Sequence, residues 1–333
     1  MTLRETRRQQ FLVENHFRIM HTALKESISY FDRNPVGSGV DEVHRLALAR
    51  MSSANDRLIL LTLHYTAGQP IEPLRDELED VVAAYERYAE KQRAYENDPD
   101  AMAFPIGSFD GYCPYIGLIG LCYLLHRRDL LTRVAELVDG PGKSNAGIDW
   151  LIEEMLAFAP MERYTSEIFL APKPFETLAD AFSTEDNGES LKHLQRFLKR
   201  WYKALAAAPW HDTHKPDENG NQGGYYGYWS FEAGAAVILL GIADDSSLHQ
   251  YLYYPKDLVA WSRSFRPDDE SVLNPAISRI EAGKPCPRSG WWMTPAKAGS
   301  RRYFEQGTIM PSFGSNYGLI IWQWDVDQST PRL

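Results

Sequence analysis

Cysteine is scarce in this 333-residue chain, and what there is does not pair. Cys113, Cys122 and Cys286 are odd in number and make no C-x-x-C motif, which argues against both a disulfide framework and a zinc cluster. Long hydrophobic runs are also missing. The longest, Tyr115 to Leu125, is far shorter than the ~20 residues that cross a bilayer. The opening MTLRETRRQQFLVENHF carries basic residues with no continuous apolar run behind them, so neither a signal peptide nor a membrane anchor is expected. Together these absences predict a soluble protein of the reducing cytoplasm. Positive charge is in deficit as well: the net charge of −10 argues against direct nucleic-acid binding, which depends on surplus Lys and Arg.

Catalytic signatures are equally thin. The chain has no G-x-S-x-G, no dinucleotide-binding glycine fingerprint and no nucleophilic cysteine with an identifiable histidine partner. GPGKS at 140–144 resembles the end of a phosphate-binding loop, but Leu137 stands where the first glycine belongs and a helical pattern precedes it, so it reads as a turn. His211 and His214 in HDTH, near Asp212 and Asp217, could put two imidazoles on a metal. No third histidine or H-E-x-x-H accompanies them, and a solvated loop is the expectation. Glu232, among Tyr228, Trp229 and Phe231, is expected to be buried with a raised pKa and bonded to tyrosine hydroxyls. Asp244-Asp245-Ser246-Ser247 reads either as paired carboxylates or as a capping turn. Enzymatic activity finds no positive support, and no cofactor or metal is called for.

What is present is helical periodicity. Apolar residues recur at helical spacing from Leu3 to Phe31, stopping at Asn34-Pro35; a second helix runs from near Asp41 to Gly68, and a third begins at Ile71-Glu72-Pro73. Further patterns cover Pro114 to Val138, Ala146 to Ala159, Pro174 to Phe182, Ser190 to Ala208, Tyr228 to Gly241 and Pro255 to Phe265, while 211–224 reads as a polar surface loop. The helix–turn–helix of Leu58 to Tyr88 echoes that of Tyr228 to Phe265, a faint internal duplication. After Gly283 the composition changes, with four of the nine tryptophans and many Gly and Pro; 318–324 alternates as a strand, and Arg301 to Met310 is its expected partner around Gly307. The expected fold is all-α, a multi-helix antiparallel array with a small β-rich C-terminal appendage, divided as 1–140, 141–282 and 283–333.

The third helix holds the most informative charge pattern. From Ile71 to Asp100 ten acidic residues face only Arg75, Arg87, Lys91 and Arg93, which places −6 of the chain's −10 in one segment. Asp76, Glu79 and Asp80 fall opposite the Leu74/Leu78/Val81/Tyr85 stripe. A solvated face explains this as well as an electrostatic docking surface for a basic partner does.

At this point a resemblance enters. YYGYWSFEAGAAVILLGIADDSSL (225–248), followed by YYPKDLVAWSR (253–263), resembles the C-terminal signature of PoNi-type immunity proteins of bacterial polymorphic-toxin systems, and ANDRLILLTLHYTAGQPIEPLRDELEDVVAAYERY (54–88) is similar to their helical N-terminal region. The tail resembles tails of other immunity proteins in type VI secretion clusters. The resemblance implies a non-catalytic protein that binds a co-encoded, cytoplasm-acting toxin, a nuclease as first choice. The expected partner is that toxin with a basic active-site cleft, met by Asp76, Glu77, Glu79, Asp80, Glu86, Asp244 and Asp245. Two alternatives stay open: a metal-dependent enzyme built on the His211/His214 loop, and an interaction or homodimer module acting through exposed Trp291, Trp292, Trp322 and Trp324.

Overall fold

The computed structural model describes residues 2–33, 38–159, 161–216, 218, 223–265, 279–294, 297, 299–312 and 320–325. Asn34 and Pro35, Asp217, and residues 318 and 319 of the expected strand lie outside them. Eleven α-helices and one small four-stranded antiparallel sheet make up the described residues, a mostly-α fold with a β appendage. The chain forms two compact units and passes between them more than once.

The first unit comprises residues 1–115, 125–145 and 205–229. The long amphipathic stretch at the N-terminus is broken: α1 (Leu3–Thr6) ends at once, and α2 (Glu14–Arg33) starts afresh after a turn in which Arg7 Nη1 donates to the Leu12 carbonyl at 2.6 Å. α3 (Glu42–Thr66) begins where its sequence says it should, because the Asp41 side chain accepts the His44 amide at 2.8 Å and caps the first turn. It ends at Gly68, whose φ of +84° is open to glycine at little cost. α4 (Leu74–Glu96) returns antiparallel, its Leu78, Val81, Val82 and Tyr85 buried and its Tyr85 hydroxyl donating to Asn55 at 2.7 Å. The apolar run expected to form one helix over Pro114 to Val138 is two: α5 (Phe109–Leu124) and α6 (Leu131–Asp139). His126, with φ +51°, and a 3-10 turn at Arg128–Leu130 separate them.

Residues 225–230 belong to no helix or strand, and the helix expected from Tyr228 starts only at Phe231. Gly227 explains the delay: its φ is +130°, and a Cβ there would lie 2.1 Å from Thr66 Oγ1. The segment is held as a bound peptide would be. Gln9, itself buried, donates to the Tyr228 carbonyl at 2.6 Å and accepts the Tyr228 amide at 2.9 Å, while Thr66 Oγ1 donates to the Tyr226 carbonyl and accepts the Trp229 indole N–H. Tyr225 and Tyr228 are thereby buried in this unit's core.

The second unit comprises residues 116–124, 146–204 and 230–333. It contains α7 (Trp150–Leu156), α8 (Pro172–Phe182), α9 (Asn187–Ala204), α10 (Phe231–Leu239) and α11 (Lys256–Ser264). Small residues allow close approach here, as the sequence implies. A Cβ on Gly120 would stand 2.8 Å from the Phe231 backbone, and one on Gly234 would stand 2.8 Å from the Pro255 ring.

The sheet has the order β1 (Arg279–Glu281), β4 (Ile321–Trp324), β2 (Gly290–Met293), β3 (Arg302–Phe304). The expected pairing of 301–310 with 318–324 is corrected: β3 pairs with β2, Trp291 opposite Tyr303, and β2 lies between β3 and β4. Burial decides this arrangement. Trp292 and Trp322 are fully buried in a small core with Cys286, Phe304, Met310 and Ile320, which requires their two strands to be neighbours. Gln323 Nε2 donates to Glu154 on α7 at 2.9 Å.

Candidate partner-binding surface

The acidic segment is α4 and the turn that leads into it. Its buried stripe faces α3, which turns Glu72, Asp76 and Asp80 outward, all exposed. Their neighbours are not free. Arg127 and Arg133 both pair with Glu79, Arg133 also grips Glu86 in a fork at 2.6 and 2.7 Å, and Arg127 pairs with Asp129 at 2.8 Å. The Arg133 hydrogen bond, aided by Arg127, holds the Glu79 carboxyl below the usual carboxylate range. Glu77 receives His64 Nδ1 at 2.8 Å. The field read from the segment alone is therefore partly neutralised by arginines brought in from residues 127 and 133. Among the described residues Glu72, Asp76 and Asp80 are exposed and have no ion pair; of these, Asp76 and Asp80 lie on α4 itself.

Asp244 and Asp245 diverge. Asp244 is exposed and accepts the Ser246 amide at 2.9 Å in a turn-forming role, and the Ser246 hydroxyl, followed by that amide, lowers its pKa. Asp245 is buried and occupied: Arg263 Nη1 donates to it at 2.7 Å, the Tyr254 hydroxyl donates to its other oxygen, and Arg263 Nη2 donates to the Ile242 carbonyl at 2.6 Å. The turn is thereby clasped to α11 from inside the unit, and Asp245 is not an outward docking carboxylate.

Glu232 is 3% exposed, as expected, but its partners differ from expectation. The Trp201 indole N–H donates to Oε1 at 2.8 Å and the Ser230 hydroxyl at 2.7 Å, with no tyrosine hydroxyl involved. Burial pushes its pKa up to about 7. A second buried carboxylate escaped sequence reading altogether. Glu153 on α7 accepts Arg163 Nε at 2.9 Å and Nη2 at 2.7 Å, and also the amides of Gly147 at 2.9 Å and Tyr164 at 3.1 Å. Nothing local marks this pair, since ten residues separate its members.

The GPGKS turn has its amides occupied from within: Asp100 Oδ1 accepts the Gly142 amide at 2.7 Å. The anion comes from 42 residues earlier in the chain. His214 lies against the Phe11 ring at 4.3 Å and its Nδ1 is 2.9 Å from the Tyr228 hydroxyl, while His211 Nδ1 is 3.7 Å from Asp212. Among the described residues no three His, Cys, Asp or Glu side chains converge as metal ligands. The tryptophan patch is corrected, because Trp292 and Trp322 are core residues; Trp291 and Trp324 are half-buried, stacked under Arg301 at 4.4 Å and Arg288 at 3.5 Å. No helix among the described residues is long and apolar enough to cross a membrane.

Residues 147–258, about a third of the chain, match the family model described as PoNe immunity proteins (PoNi), C-terminal, so the chain is PoNi-like over α7 to α10 and the first turn of α11. The match supports an immunity role toward a toxin partner, and it contains Glu153, Glu232 and Asp245. It begins at residue 147, so the similarity read in 54–88 lies outside it. A crystal structure of protein PA2201 from Pseudomonas aeruginosa is similar in fold, with a TM-score of 0.60 at 20% identity, over 78% of this chain and 91% of that one. No curated protein compared with the chain matches it.

Proposed function

We propose that this protein is an immunity protein that binds a co-encoded toxin in the cytoplasm and silences it by covering its active site or substrate groove. The toxin is a nuclease with a basic cleft, delivered through a type VI secretion system. The match of residues 147–258 to immunity proteins of PoNe carries the reading. Occlusion needs no chemistry from the chain itself, which accords with carboxylates used as internal clasps. Asp76 and Asp80 on α4 supply the outward negative charge, with Asp244 as a separate contact. Glu77, Glu79 and Glu86 stand behind the first two in pairs with His64, Arg127 and Arg133.

Exposed charges of this kind act on encounter more than on final affinity, because their field is felt over roughly a Debye length and is screened by salt. The chain should copurify with the product of the adjacent reading frame. The association rate should fall as salt rises from 50 to 500 mM, on the order of tenfold. Asp76→Asn with Asp80→Asn should flatten that dependence and leave the dissociation rate within about twofold. A salt-independent association rate in the parent protein would remove α4 from the interface.

A further inference from the structure

α2 is fastened differently at its two ends. Its C-terminal half is tied to α3 by Asp32 with Arg57 at 2.5 Å, by Ser27 donating to Asp56 at 2.6 Å, and by Arg50 donating to the Phe31 carbonyl at 3.3 Å. Its N-terminal half relies on histidines. His16 Nε2 lies 2.7 Å from the Tyr225 carbonyl, and the His21 ring stands 5.3 Å from that of His64 on α3. Only His16 and Leu24 of this 20-residue helix are buried, so few apolar contacts back these polar ones up.

The His21 site is a three-helix cluster. His64 is 9% exposed; its Nδ1 faces Glu77 on α4 at 2.8 Å, and its Nε2 is buried with no hydrogen-bond partner. The charged and titratable groups facing His21 are His64 from α3, Lys25 from α2 and Glu77 from α4. Protonating His21 places a cation in a partly desolvated position beside Lys25 and a second imidazole, with Glu77 the one opposing charge and already engaged by His64. Protonating His64 as well would add an N–H at the buried, unpartnered Nε2.

We infer that His21, His64 and Glu77 form a proton-sensitive fastening that releases the N-terminal half of α2 as the pH falls, while the Asp32–Arg57 end stays in place. Burial, then His64 and Lys25, hold His21 below its ordinary 6.5, which agrees in sign. A histidine with a depressed folded pKa favours the folded form above 6.5, and that contribution is lost as the pH drops below it. The inference does not depend on the toxin assignment.

Hydrogen–deuterium exchange of the full chain at pH 7.5 and 5.0, corrected for intrinsic rates, tests it. Residues 14–22 should exchange several-fold faster at pH 5.0, up to about tenfold per pH unit of displacement in the His21 pKa, and residues 27–33 should change little. His21→Phe, which keeps a ring beside Phe17 but carries no proton, should abolish the difference, and His21→Gln serves if the phenylalanine disturbs folding. Glu77→Gln should enlarge it. A response spread evenly over α2, no response at all, or a response that survives both His21 variants would overturn the fastening.

Discussion

Glu153→Ala is expected to remove about 3–5 kcal/mol of unfolding free energy. The carboxylate and its partner Arg163 are each only 3% exposed at the side chain, and four hydrogen bonds converge on the two carboxylate oxygens. Truncation takes two hydrogen bonds and a carboxylate away from a buried guanidinium and removes the acceptor of two backbone amides, which is the costly half of a buried pair's energetics. Glu153→Gln retains an acceptor and should lose less. Adding Arg163→Met to Glu153→Ala should cost less than the sum of the two single changes, because both remove the same pair. Urea unfolding followed by circular dichroism measures all of these proteins. A loss below about 1 kcal/mol for the alanine variant would mean that the clasp does not hold this part of the fold.

Glu232→Gln is expected to stabilise the protein at pH 8 and to flatten its stability between about pH 4.5 and 7. Burial raises the folded pKa from the ordinary 4.5 to about 7, so across that window the folded state binds more protons than the unfolded one. Stability therefore falls as the pH rises from 4.5 to 7 and is lowest, for this group, above 7. The full difference is about 3 kcal/mol at 1.4 kcal/mol per pH unit. Glutamine retains an oxygen for the Trp201 indole and the Ser230 hydroxyl but carries no charge to desolvate. Parallel unfolding curves for parent and variant across pH 4.5–8 would contradict a buried, ionising Glu232.

The parts of the fold legible in the sequence are those fixed by neighbours in the chain. Asp41 caps α3, Pro73 precedes α4, and the Leu78/Val82/Tyr85 stripe gives α4's inner face, all within a few residues of the feature they define. The misread parts depend on partners far along the chain. Tyr228 and Trp229 read as the start of a helix until Gln9 and Thr66, more than 150 residues earlier, claim this stretch. The acidic segment looks uniformly outward until Arg127 and Arg133 arrive 48 and 54 residues later to neutralise Glu79. Asp245 looks like a cap because Arg263, its real partner, stands 18 residues away. The β strands are three or four residues long, too short for period-2 alternation to fix their order, and the joint burial of Trp292 and Trp322 fixes it instead. The PoNi signature was readable because it is a run of local chemistry; which carboxylates face a partner was not, because exposure is a property of the folded unit.

Protection of living cells tests the central claim most directly. The product of the reading frame adjacent to this gene is expressed in the cytoplasm with the chain or with a frameshifted control, and survival is counted while the purified pair is titrated for residual activity of that product. The account predicts survival restored only by the intact chain and activity extinguished at one chain per toxin. Equal killing in both cultures, with toxin activity unchanged by excess chain, would contradict it.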